Sequence, residues 1–337
     1  MRQVDNGGIL WYNLRNNITK ERVMKTVILD KCTVTRGDID MSALERFGEV
    51  VYYDMLSKDE IIKALEGADA VVCNKAVIDK DIIDATTLKF IGVFATGYNN
   101  IDIKYARERG IVVCNVPGYS TDSVTQLTIS LLLELSCSTS KYTASVARGD
   151  WQRSKQFSYF CYPITEISGK TLGIYGLGTI GCAVARVAVA LGMKVIAYTR
   201  TPKQVDGVTL VDRDTLFSQS DYLTFHCPLT EKTARLVNKD TIALMKPSAM
   251  IINTSRGGVI DEQDLAEALR TRRIAAAALD VLTEEPMAAD CPLQGLDNCI
   301  ITPHMAWAAI ETRTRLISKV AENLAAFRRG EPINVVN

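Results

Sequence analysis

The sequence predicts an α/β protein built from two doubly wound parallel sheets, with one domain inserted into the other. Its 337 residues are enough for two domains of ordinary size, and its 47% hydrophobic and 23% charged residues are typical of globular proteins. Short β-branched runs alternate with helical segments in two separate series along the chain. This alternation favours parallel sheets that are covered by helices on both faces.

The first series follows an N-terminal extension, residues 1–23, which shows little periodicity. Its predicted strands are residues 26–30, 50–53, 70–73, 90–94 and 111–114. The helical segments between them are residues 58–67, 79–84 and 102–109. The alternation predicts a first parallel sheet.

The second series supplies a second parallel sheet. Its predicted strands are residues 171–175, 194–198, 222–225, 250–253, 275–279 and 300–301. A long helical segment, residues 122–148, lies between the two series, and a last one, residues 306–329, follows the final strand. If that last helix packs on the first sheet, the second domain is inserted into the first. We therefore expect residues 24–120 and 305–337 to form one domain and residues 121–304 the other.

Charge and cysteine content exclude several classes of protein. The chain carries 39 Lys and Arg against 39 Asp and Glu, so no bulk positive field attracts nucleic acid or an anionic membrane. The nine cysteines are scattered without a CxxC pair, which indicates reduced thiols in the cytoplasm rather than a disulfide framework or a zinc site. The longest apolar run, residues 127–135, is too short to span a bilayer. We expect a cytoplasmic protein with a small-molecule ligand and no metal.

The sequence Gly-Leu-Gly-Thr-Ile-Gly at residues 176–181 follows an apolar strand and opens a helix, residues 182–191. In this motif Gly176 permits a tight turn, Gly178 lets a pyrophosphate approach the backbone, and Gly181 lets helix and strand pack closely. The helix N-terminus adds free N–H groups and the positive end of a dipole. The second domain is therefore predicted to bind a dinucleotide, as a Rossmann domain does.

The residue at the end of the next strand sets the choice of dinucleotide. An acid there grips the ribose hydroxyls of NAD and repels the 2′-phosphate of NADP. This chain has Thr199 at that place, followed by Arg200 and Lys203. The two cations favour NADP(H), with NAD(H) as the alternative, although both could be ordinary solvated surface charges.

Only His226 and His304 can supply an imidazole acid or base near neutral pH. His226 ends a strand of the nucleotide-binding half, where a role in capping the backbone or at the cofactor edge is expected. His304 lies just past the last predicted strand and directly before the final helix. Ligands of such sheets bind beyond the carboxyl ends of the strands, which favours His304 for chemistry.

Two further charged residues follow strands of the second series. Arg256, framed by glycines, could make a bidentate contact with a carboxylate and polarise a carbonyl. Glu285 beside His304 would stabilise the imidazolium and keep a proton available. Each could be a surface charge by itself. Together the three groups predict a site that reduces a 2-oxoacid.

The chain resembles the D-isomer-specific 2-hydroxyacid dehydrogenases, and within them the glycerate dehydrogenase or hydroxypyruvate reductase branch. The resemblance runs from about Met24 to the C-terminus. It is carried, in this order, by GDIDMSALERFGEVVYYD, ATGYNNIDI, GYSTDSVTQLTISLLL, the glycine fingerprint, HCPLT, INTSRGGVIDE, ALDVLTEEP and TPHMAWAAIETRTRL.

The resemblance implies a role for each motif residue. Arg256 is expected to bind substrate, Glu285 to pair with the acid/base, and His304 to be the acid/base. The substrate carboxylate is expected on backbone amides of Asn74, Lys75, Ala76 and Gly97. Cofactor contacts are expected from the fingerprint, Gly176, Gly178, Thr179, Ile180 and Gly181, and from Thr125, Thr199, Arg200, Lys203, Cys227, Pro228, Thr254, Ser255, Arg256 and Asp280.

Domain roles, assembly and substrate are also implied. Residues 24–120 and 305–337 would bind substrate, residues 121–304 would be the NAD(P)-binding domain, and residues 121–151 would pair two chains into a homodimer. Hydroxypyruvate or glyoxylate is the preferred substrate, with Trp307 as a wall of a small pocket. Other 2-hydroxyacid chemistry, such as oxidation of phosphoglycerate or D-lactate, stays open. So does a dinucleotide-sensing protein of the corepressor type.

Overall fold

The computed structural model describes residues 23–337 and divides into two compact units. One unit comprises residues 23–119 together with Arg313–Asn337, and the other comprises Ser120–Thr312. The expected boundaries were 120/121 and 304/305, so residues 305–312 group with the second unit instead of the first. Apart from Val23, the predicted N-terminal extension lies outside the described residues.

The first unit is a parallel sheet of five strands, which are β1 (Met24–Ile28), β2 (Gly48–Tyr52), β3 (Ala70–Cys73), β4 (Phe90–Val93) and β5 (Val112–Cys114). They pair in the order β2-β1-β3-β4-β5. The connecting helices are α1 (Lys58–Ala64), α2 (Lys80–Asp84) and α3 (Ile103–Glu108), with 3-10 turns at Lys31–Thr33 and Ser42–Phe47. Strands β1, β3, β4 and β5 and the three helices share one buried cluster, which includes Val27, Val71 and Ile91.

The second unit is a parallel sheet of seven strands, which are β6 (Thr171–Tyr175), β7 (Lys194–Tyr198), β8 (Val208–Leu210), β9 (Tyr222–Phe225), β10 (Met250–Asn253), β11 (Ala276–Leu279) and β12 (Cys299–Ile301). They pair in the order β12-β11-β10-β9-β6-β7-β8. Its helices are α4 (Thr121–Cys137), α5 (Thr139–Ala147), α6 (Asp150–Arg153), α7 (Thr179–Ala190), α8 (Arg213–Gln219), α9 (Lys239–Leu244) and α10 (Glu262–Arg270). The last helix of the chain, α11 (Ile310–Arg328), begins in this unit and ends in the first.

Both faces of the seven-stranded sheet are buried. Val195 and Ala197 of β7 point into a core shared with α4 and α7, whereas Ile196 points into a core shared with α8, α9 and α10. Ile251 and Ile252 of β10 alternate in the same way. Because the side chains of the central strands meet a hydrophobic layer on both faces, those strands are mostly apolar runs rather than alternating ones.

The predicted fold class is confirmed, since both sheets are parallel and each is built from alternating strands and helices. The final helix packs on the first sheet, where the rings of Phe90 and Phe327 lie 4.9 Å apart. Within residues 23–337, none of the helices has the length and apolar character needed to cross a membrane.

Three elements differ from prediction. The long segment 122–148 is two helices, because Ser138 adopts a left-handed conformation with φ 50° and ends α4. Strand β8 was not predicted. Helix α7 starts at Thr179 rather than at residue 182, so the end of the glycine motif forms its first turn.

Candidate active site

The glycine motif forms a sharp turn between β6 and α7. Gly176 has φ 102°, in the left-handed half of backbone space that favours glycine, and a Cβ placed there would lie 2.6 Å from the carbonyl oxygen of His226. A Cβ on Gly181 would lie 2.1 Å from the carbonyl oxygen of Gly176. Both positions therefore require glycine, as the fingerprint predicts.

Gly178 differs from its two neighbours in the motif, because no atom lies within 4 Å of a Cβ built on it. This open space lies at the N-terminus of the 12-residue helix α7, whose first amides have no partner within the helix. The site also follows β6, where the strand order reverses between β6 and β9. Ligands of doubly wound sheets bind at such a switch point, so the residues present fit a dinucleotide pyrophosphate.

A cavity of about 430 Å³ lies beyond the end of β7 and is lined in part by Tyr198, Thr199 and Asp212. The Asp212 carboxylate is engaged in capping α8, where it accepts hydrogen bonds from the backbone amide and the hydroxyl of Thr215. Arg200 and Lys203 are exposed, and both are sequence neighbours of residues that line this cavity. Neither makes an ion pair within the described chain. Their charges are therefore available to a bound anion.

Asn253 fixes the loop that carries Arg256. Its buried side chain accepts hydrogen bonds from the amide (3.0 Å) and hydroxyl (2.8 Å) of Ser255, and donates to the carbonyl of Arg256 (2.9 Å). The Arg256 guanidinium is half-buried, and its Nη1 donates to the Ser255 carbonyl at 2.7 Å. The remaining guanidinium donors make no hydrogen bond to the described residues and can bind a ligand.

The Arg256 loop packs directly on the loop that carries Glu285. A Cβ on Gly257 would lie 1.9 Å from the carbonyl carbon of Leu282, so only glycine fits there. The backbone amide of Thr283 donates to the Glu262 carboxylate at 2.6 Å. The two charged groups are thus held on one tightly packed piece of the second unit.

The Glu285 carboxylate joins this loop to His304. One oxygen accepts a hydrogen bond from the Leu282 amide at 3.0 Å, and the other lies 2.6 Å from Nδ1 of His304. An ionised carboxylate only accepts, so Nδ1 carries the hydrogen. The other ring nitrogen, Nε2, makes no hydrogen bond within residues 23–337, and the side chain is 28% exposed. Nε2 is therefore open to a ligand.

Asp280 holds the backbone on both sides of His304. Its buried carboxylate accepts hydrogen bonds from Thr302 Oγ1 (2.6 Å) and from the amides of Met305 (2.9 Å) and Ala306 (2.8 Å). Its carbonyl accepts the His304 amide at 2.8 Å, which supports the left-handed conformation of His304 at φ 50°. Burial raises the pKa of Asp280, outweighing the lowering by these hydrogen bonds.

His226 is not in this cluster. It follows β9 and contacts Thr224 Oγ1 through Nε2 at 3.2 Å. Desolvation lowers the pKa of His226 to about 4, so its imidazole is neutral near pH 7. A neutral imidazole is a much weaker acid than an imidazolium, so His226 is poorly suited to donate a proton.

The other predicted cofactor contacts of the second unit have partners of their own. Thr125 Oγ1 donates to the carbonyl one turn earlier in α4 at 2.8 Å, and Thr254 Oγ1 lies 2.9 Å from Thr128 Oγ1. Cys227 is buried and Pro228 is exposed. The Thr125 hydroxyl is therefore engaged within α4, and the contact between Thr128 and Thr254 joins α4 to the end of β10.

In the first unit, three of the four amides predicted to bind the substrate carboxylate are already hydrogen-bonded. The Asn74 amide donates to one carboxylate oxygen of Asp30 at 2.9 Å, and the Lys75 and Ala76 amides donate to the other at 2.6 Å each. This differs from the expectation that the amides face a substrate. Among residues 23–337, no hydrogen bond engages the amide of Gly97, the fourth predicted donor.

Sequence reasoning missed the residues that organise these loops, namely Asp30, Asn253 and Glu262, and assigned Asp280 to the cofactor alone. Asn253 carried a signal, because a buried asparagine that ends a strand before Ser-Arg-Gly-Gly commonly holds a turn. Asp30 carried none, since its partners lie 44 to 46 residues away.

Comparison with known proteins agrees with the geometry. Residues 129–306 match the family model described as D-isomer specific 2-hydroxyacid dehydrogenase, NAD binding domain. The chain is 43% identical over 93% of its length to the whole hydroxypyruvate reductase of Blautia hydrogenotrophica. It is 41% identical over 93% of its length to a glycerate dehydrogenase of Methylorubrum extorquens, 98% of which is covered.

The fold is also similar to that of solved structures. The crystal structure of the TT0316 protein from Thermus thermophilus superposes with a TM-score of 0.85 and 35% identity, covering 93% of this chain and 100% of that one. The chain belongs to the D-isomer-specific 2-hydroxyacid dehydrogenases, in the glycerate dehydrogenase and hydroxypyruvate reductase branch, and is an oxidoreductase that uses a nicotinamide dinucleotide.

Proposed function

We propose that the protein reduces a small 2-oxoacid, hydroxypyruvate or glyoxylate, to the D-2-hydroxyacid with NADPH, and that His304 is the general acid. The observation that carries the proposal is the contact of 2.6 Å between Glu285 Oε2 and His304 Nδ1. A carboxylate at this distance stabilises the imidazolium and fixes the ring. The proton on Nε2 is then available to a substrate oxygen.

Different residues donate the proton and stabilise the negative charge of the substrate. His304 gives its Nε2 proton to the C2 oxygen as that oxygen becomes a hydroxyl, and Glu285 stabilises the charged ring until then. Arg256 binds the substrate carboxylate and polarises the C2 carbonyl through its planar guanidinium. The reverse reaction uses neutral His304 as the base.

The fingerprint residues 176–181 would hold the pyrophosphate, and the cavity beside Thr199 would hold the adenosine. When bound, the reduced nicotinamide supplies the hydride that C2 of the substrate receives. The nicotinamide half of the cofactor would be flanked by the residues that follow two neighbouring strands. These are Thr254 and Ser255 after β10, and Cys227 and Pro228 after β9. The second unit is thus proposed as the cofactor domain and the first as the substrate domain.

NADPH is the proposed coenzyme because of the charges near Thr199. The residue that follows β7 is Thr199 instead of the usual acid. Arg200 and Lys203 have no ion partner in the described chain. Asp212 also lines the cavity, but its oxygens cap α8. A charge-assisted hydrogen bond from either cation to a 2′-phosphate favours NADPH over NADH.

Further donors for the substrate carboxylate, besides Arg256, are proposed among the backbone amides of the first unit. The amides of residues 74–76 bind Asp30, so the amides of Val77 and Gly97 are the ones proposed to bind substrate. Neither makes a hydrogen bond within residues 23–337. The loops that carry them follow β3 and β4, which are neighbours in the sheet.

We propose that two chains form a homodimer and that residues 121–151 form the interface. The apolar segment that follows these residues extends the proposed interface. Trp151, Phe157 and Phe160 are 51%, 94% and 82% exposed. Exposed aromatic side chains of this size mark an interaction surface. The cytoplasm is the proposed compartment, because all nine cysteines are free thiols.

A substrate screen tests the proposed function. Oxidation of NADPH and of NADH is followed by absorbance with hydroxypyruvate, glyoxylate, pyruvate and 3-phosphohydroxypyruvate. The highest kcat/KM with hydroxypyruvate or glyoxylate supports the proposal. A preference for pyruvate or the phosphorylated acid, or tight dinucleotide binding without any turnover, contradicts it.

A further inference from the structure

Asp30 occupies the switch point of the five-stranded sheet. The strand order β2-β1-β3-β4-β5 reverses direction between β1 and β3, and ligands of such sheets bind beyond the carboxyl ends of the strands at this reversal. Asp30 follows β1, and the loop of residues 74–76 follows β3. The crevice where a ligand is expected therefore has an internal carboxylate on one side and a run of backbone amides on the other.

The carboxylate and the loop make a dense set of hydrogen bonds. Three consecutive amides, those of residues 74–76, donate to the two oxygens of Asp30 at 2.6 to 2.9 Å. The side chain of Asn74 donates in addition to Thr33 Oγ1 at 3.0 Å. Such short bonds to an ionised acceptor are stronger than those to a neutral one.

The backbone of Asp30 is held in an unusual conformation to make these bonds. Its φ is 50°, in the left-handed region, and the residue is 3% exposed. Aspartate adopts this conformation more readily than most residues, yet burial of a carboxylate is costly. Burial raises the pKa of Asp30 and the three amides lower it, with burial the larger effect. Its two carboxyl oxygens accept from all three amides, whereas an asparagine would direct its NH₂ group at one of them.

The same loop is tied to the neighbouring one. Asn100 Nδ2 donates to the Ala76 carbonyl at 2.7 Å, and the amide of Ile78 donates to the Asn100 carbonyl at 2.9 Å. Ile78 and Ile101 also form a parallel β-bridge. The segments that contain Val77 and Gly97, whose amides are uncommitted, are thereby linked.

We propose that Asp30 is a positioning residue for the substrate carboxylate. Its carboxylate accepts hydrogen bonds from the amides of residues 74–76 and so fixes the loop in the conformation that presents the Val77 amide to the substrate. Asp30 itself does not contact substrate. This inference rests on the proposed function, and it adds that the substrate affinity of the first unit depends on a buried acid rather than on the loop alone.

A merely structural role is the competing explanation, and the chain offers a matched control for it. Asp69 is a buried carboxylate of the same sheet, 8% exposed, whose Oδ2 accepts the Lys25 amide at 3.1 Å. It directly precedes β3 and therefore lies at the N-terminal ends of the strands, away from the expected ligand. Loss of general stability in the first unit should follow from either substitution, but loss of substrate affinity only from the change at Asp30.

The experiment compares Asp30→Asn and Asp69→Asn with the wild-type enzyme. Steady-state kinetics with hydroxypyruvate gives KM and kcat, and titration calorimetry with oxalate, a planar 2-oxoacid analogue, gives a dissociation constant without turnover. We expect Asp30→Asn to raise KM and the oxalate dissociation constant about 10- to 100-fold, with kcat within about threefold. Asp69→Asn should leave all three within about threefold, and NADPH binding should be unchanged in both.

Thr33→Ala gives a milder test should Asp30→Asn fail to fold, since it leaves the Asp30 carboxylate in place and removes the bond from the Asn74 side chain and the bond that Thr33 Oγ1 donates to the Asp30 carbonyl at 2.8 Å. It should raise KM and the oxalate constant about threefold. Equal affinities in wild type and the Asp30 variant, or a loss confined to kcat, would overturn the inference. A wild-type enzyme that neither reduces 2-oxoacids nor binds oxalate would instead refute the proposed function, and the inference with it.

Discussion

Gly257 lies against the backbone of Leu282 so closely that a Cβ on it would be 1.9 Å from the Leu282 carbonyl carbon. This approach joins the loop of Arg256 to the loop of Glu285. Arg256, proposed to bind substrate, and Glu285, proposed to pair with the acid/base, therefore depend on the same backbone contact. A change at this glycine should disturb both groups without altering either side chain.

Gly257→Ala should lower kcat/KM by about 100-fold, because displacement of the reacting groups by about 1 Å has an effect of this size. Gly258→Ala is the matched control, since its Cβ would meet only the end of the Leu229 side chain, at 3.0 Å. Steady-state kinetics of the two variants checks the prediction. Equal activity of the two would show that the contact of Gly257 with Leu282 has no bearing on the site.

Arg256→Lys should be damaging. An ammonium is a point charge and does not reproduce the planar fork that binds a carboxylate and a carbonyl together. Loss of about 1.5 to 3 kcal/mol corresponds to a fall of about 10- to 150-fold in kcat/KM for the oxoacid. The dissociation constant for NADPH, measured by fluorescence, should change little. A variant with wild-type kcat/KM would remove Arg256 from the substrate site.

The coenzyme preference should follow the charges near Thr199. Arg200→Ala should weaken the use of NADPH by about 10- to 150-fold and spare that of NADH. Thr199→Asp should shift the preference further toward NADH through repulsion of the 2′-phosphate. The ratio of kcat/KM for the two coenzymes is the measurement. A wild-type enzyme that uses NADH tenfold better than NADPH would show that Arg200 and Lys203 are solvated charges.

The free energy of unfolding should decrease at acidic pH because of His226. Its pKa is lowered from 6.5 to about 4 by desolvation, so the unfolded chain takes up a proton below about pH 6.5 and the folded chain does not until about pH 4. Folding is therefore disfavoured progressively as the pH falls through this window, by about 2 kcal/mol at pH 5. Above pH 7 the residue contributes no pH dependence.

Urea unfolding of wild type and His226→Gln at pH 7 and pH 5 checks this sign. Between these two pH values the variant should lose about 2 kcal/mol less stability than the wild type. Parallel loss in both proteins would mean that the imidazole is protonated in the folded state as readily as in the unfolded one.

Most of the fold was predictable because its strands are apolar runs buried on both faces. Strand β8 escaped notice because it is an edge strand, and Thr209 and Leu210 are exposed. The break at Ser138 was missed because serine rarely adopts φ 50°, although the carboxylate of Glu134 receives the Ser140 amide and hydroxyl and so stabilises the turn.

The charged residues Arg256, Glu285 and His304 were predictable because each follows a strand, and parallel strands end on one edge of the sheet. The residues that hold them were harder to predict. Asp30, Gly257 and Glu262 act through contacts between segments that are distant in sequence, and such contacts depend on packing rather than on local pattern.

The central claim is that His304 gives the proton to the substrate, and single-turnover reduction tests it most directly. Enzyme saturated with NADPH is mixed with hydroxypyruvate, and the rate of NADPH oxidation is compared among wild type, His304→Ala and His226→Gln. We predict that His304→Ala lowers this rate by about 100- to 10,000-fold with the NADPH dissociation constant unchanged, and that His226→Gln has a smaller effect. A His304→Ala enzyme that keeps more than about a tenth of the wild-type rate, or a greater loss in His226→Gln, would contradict the account.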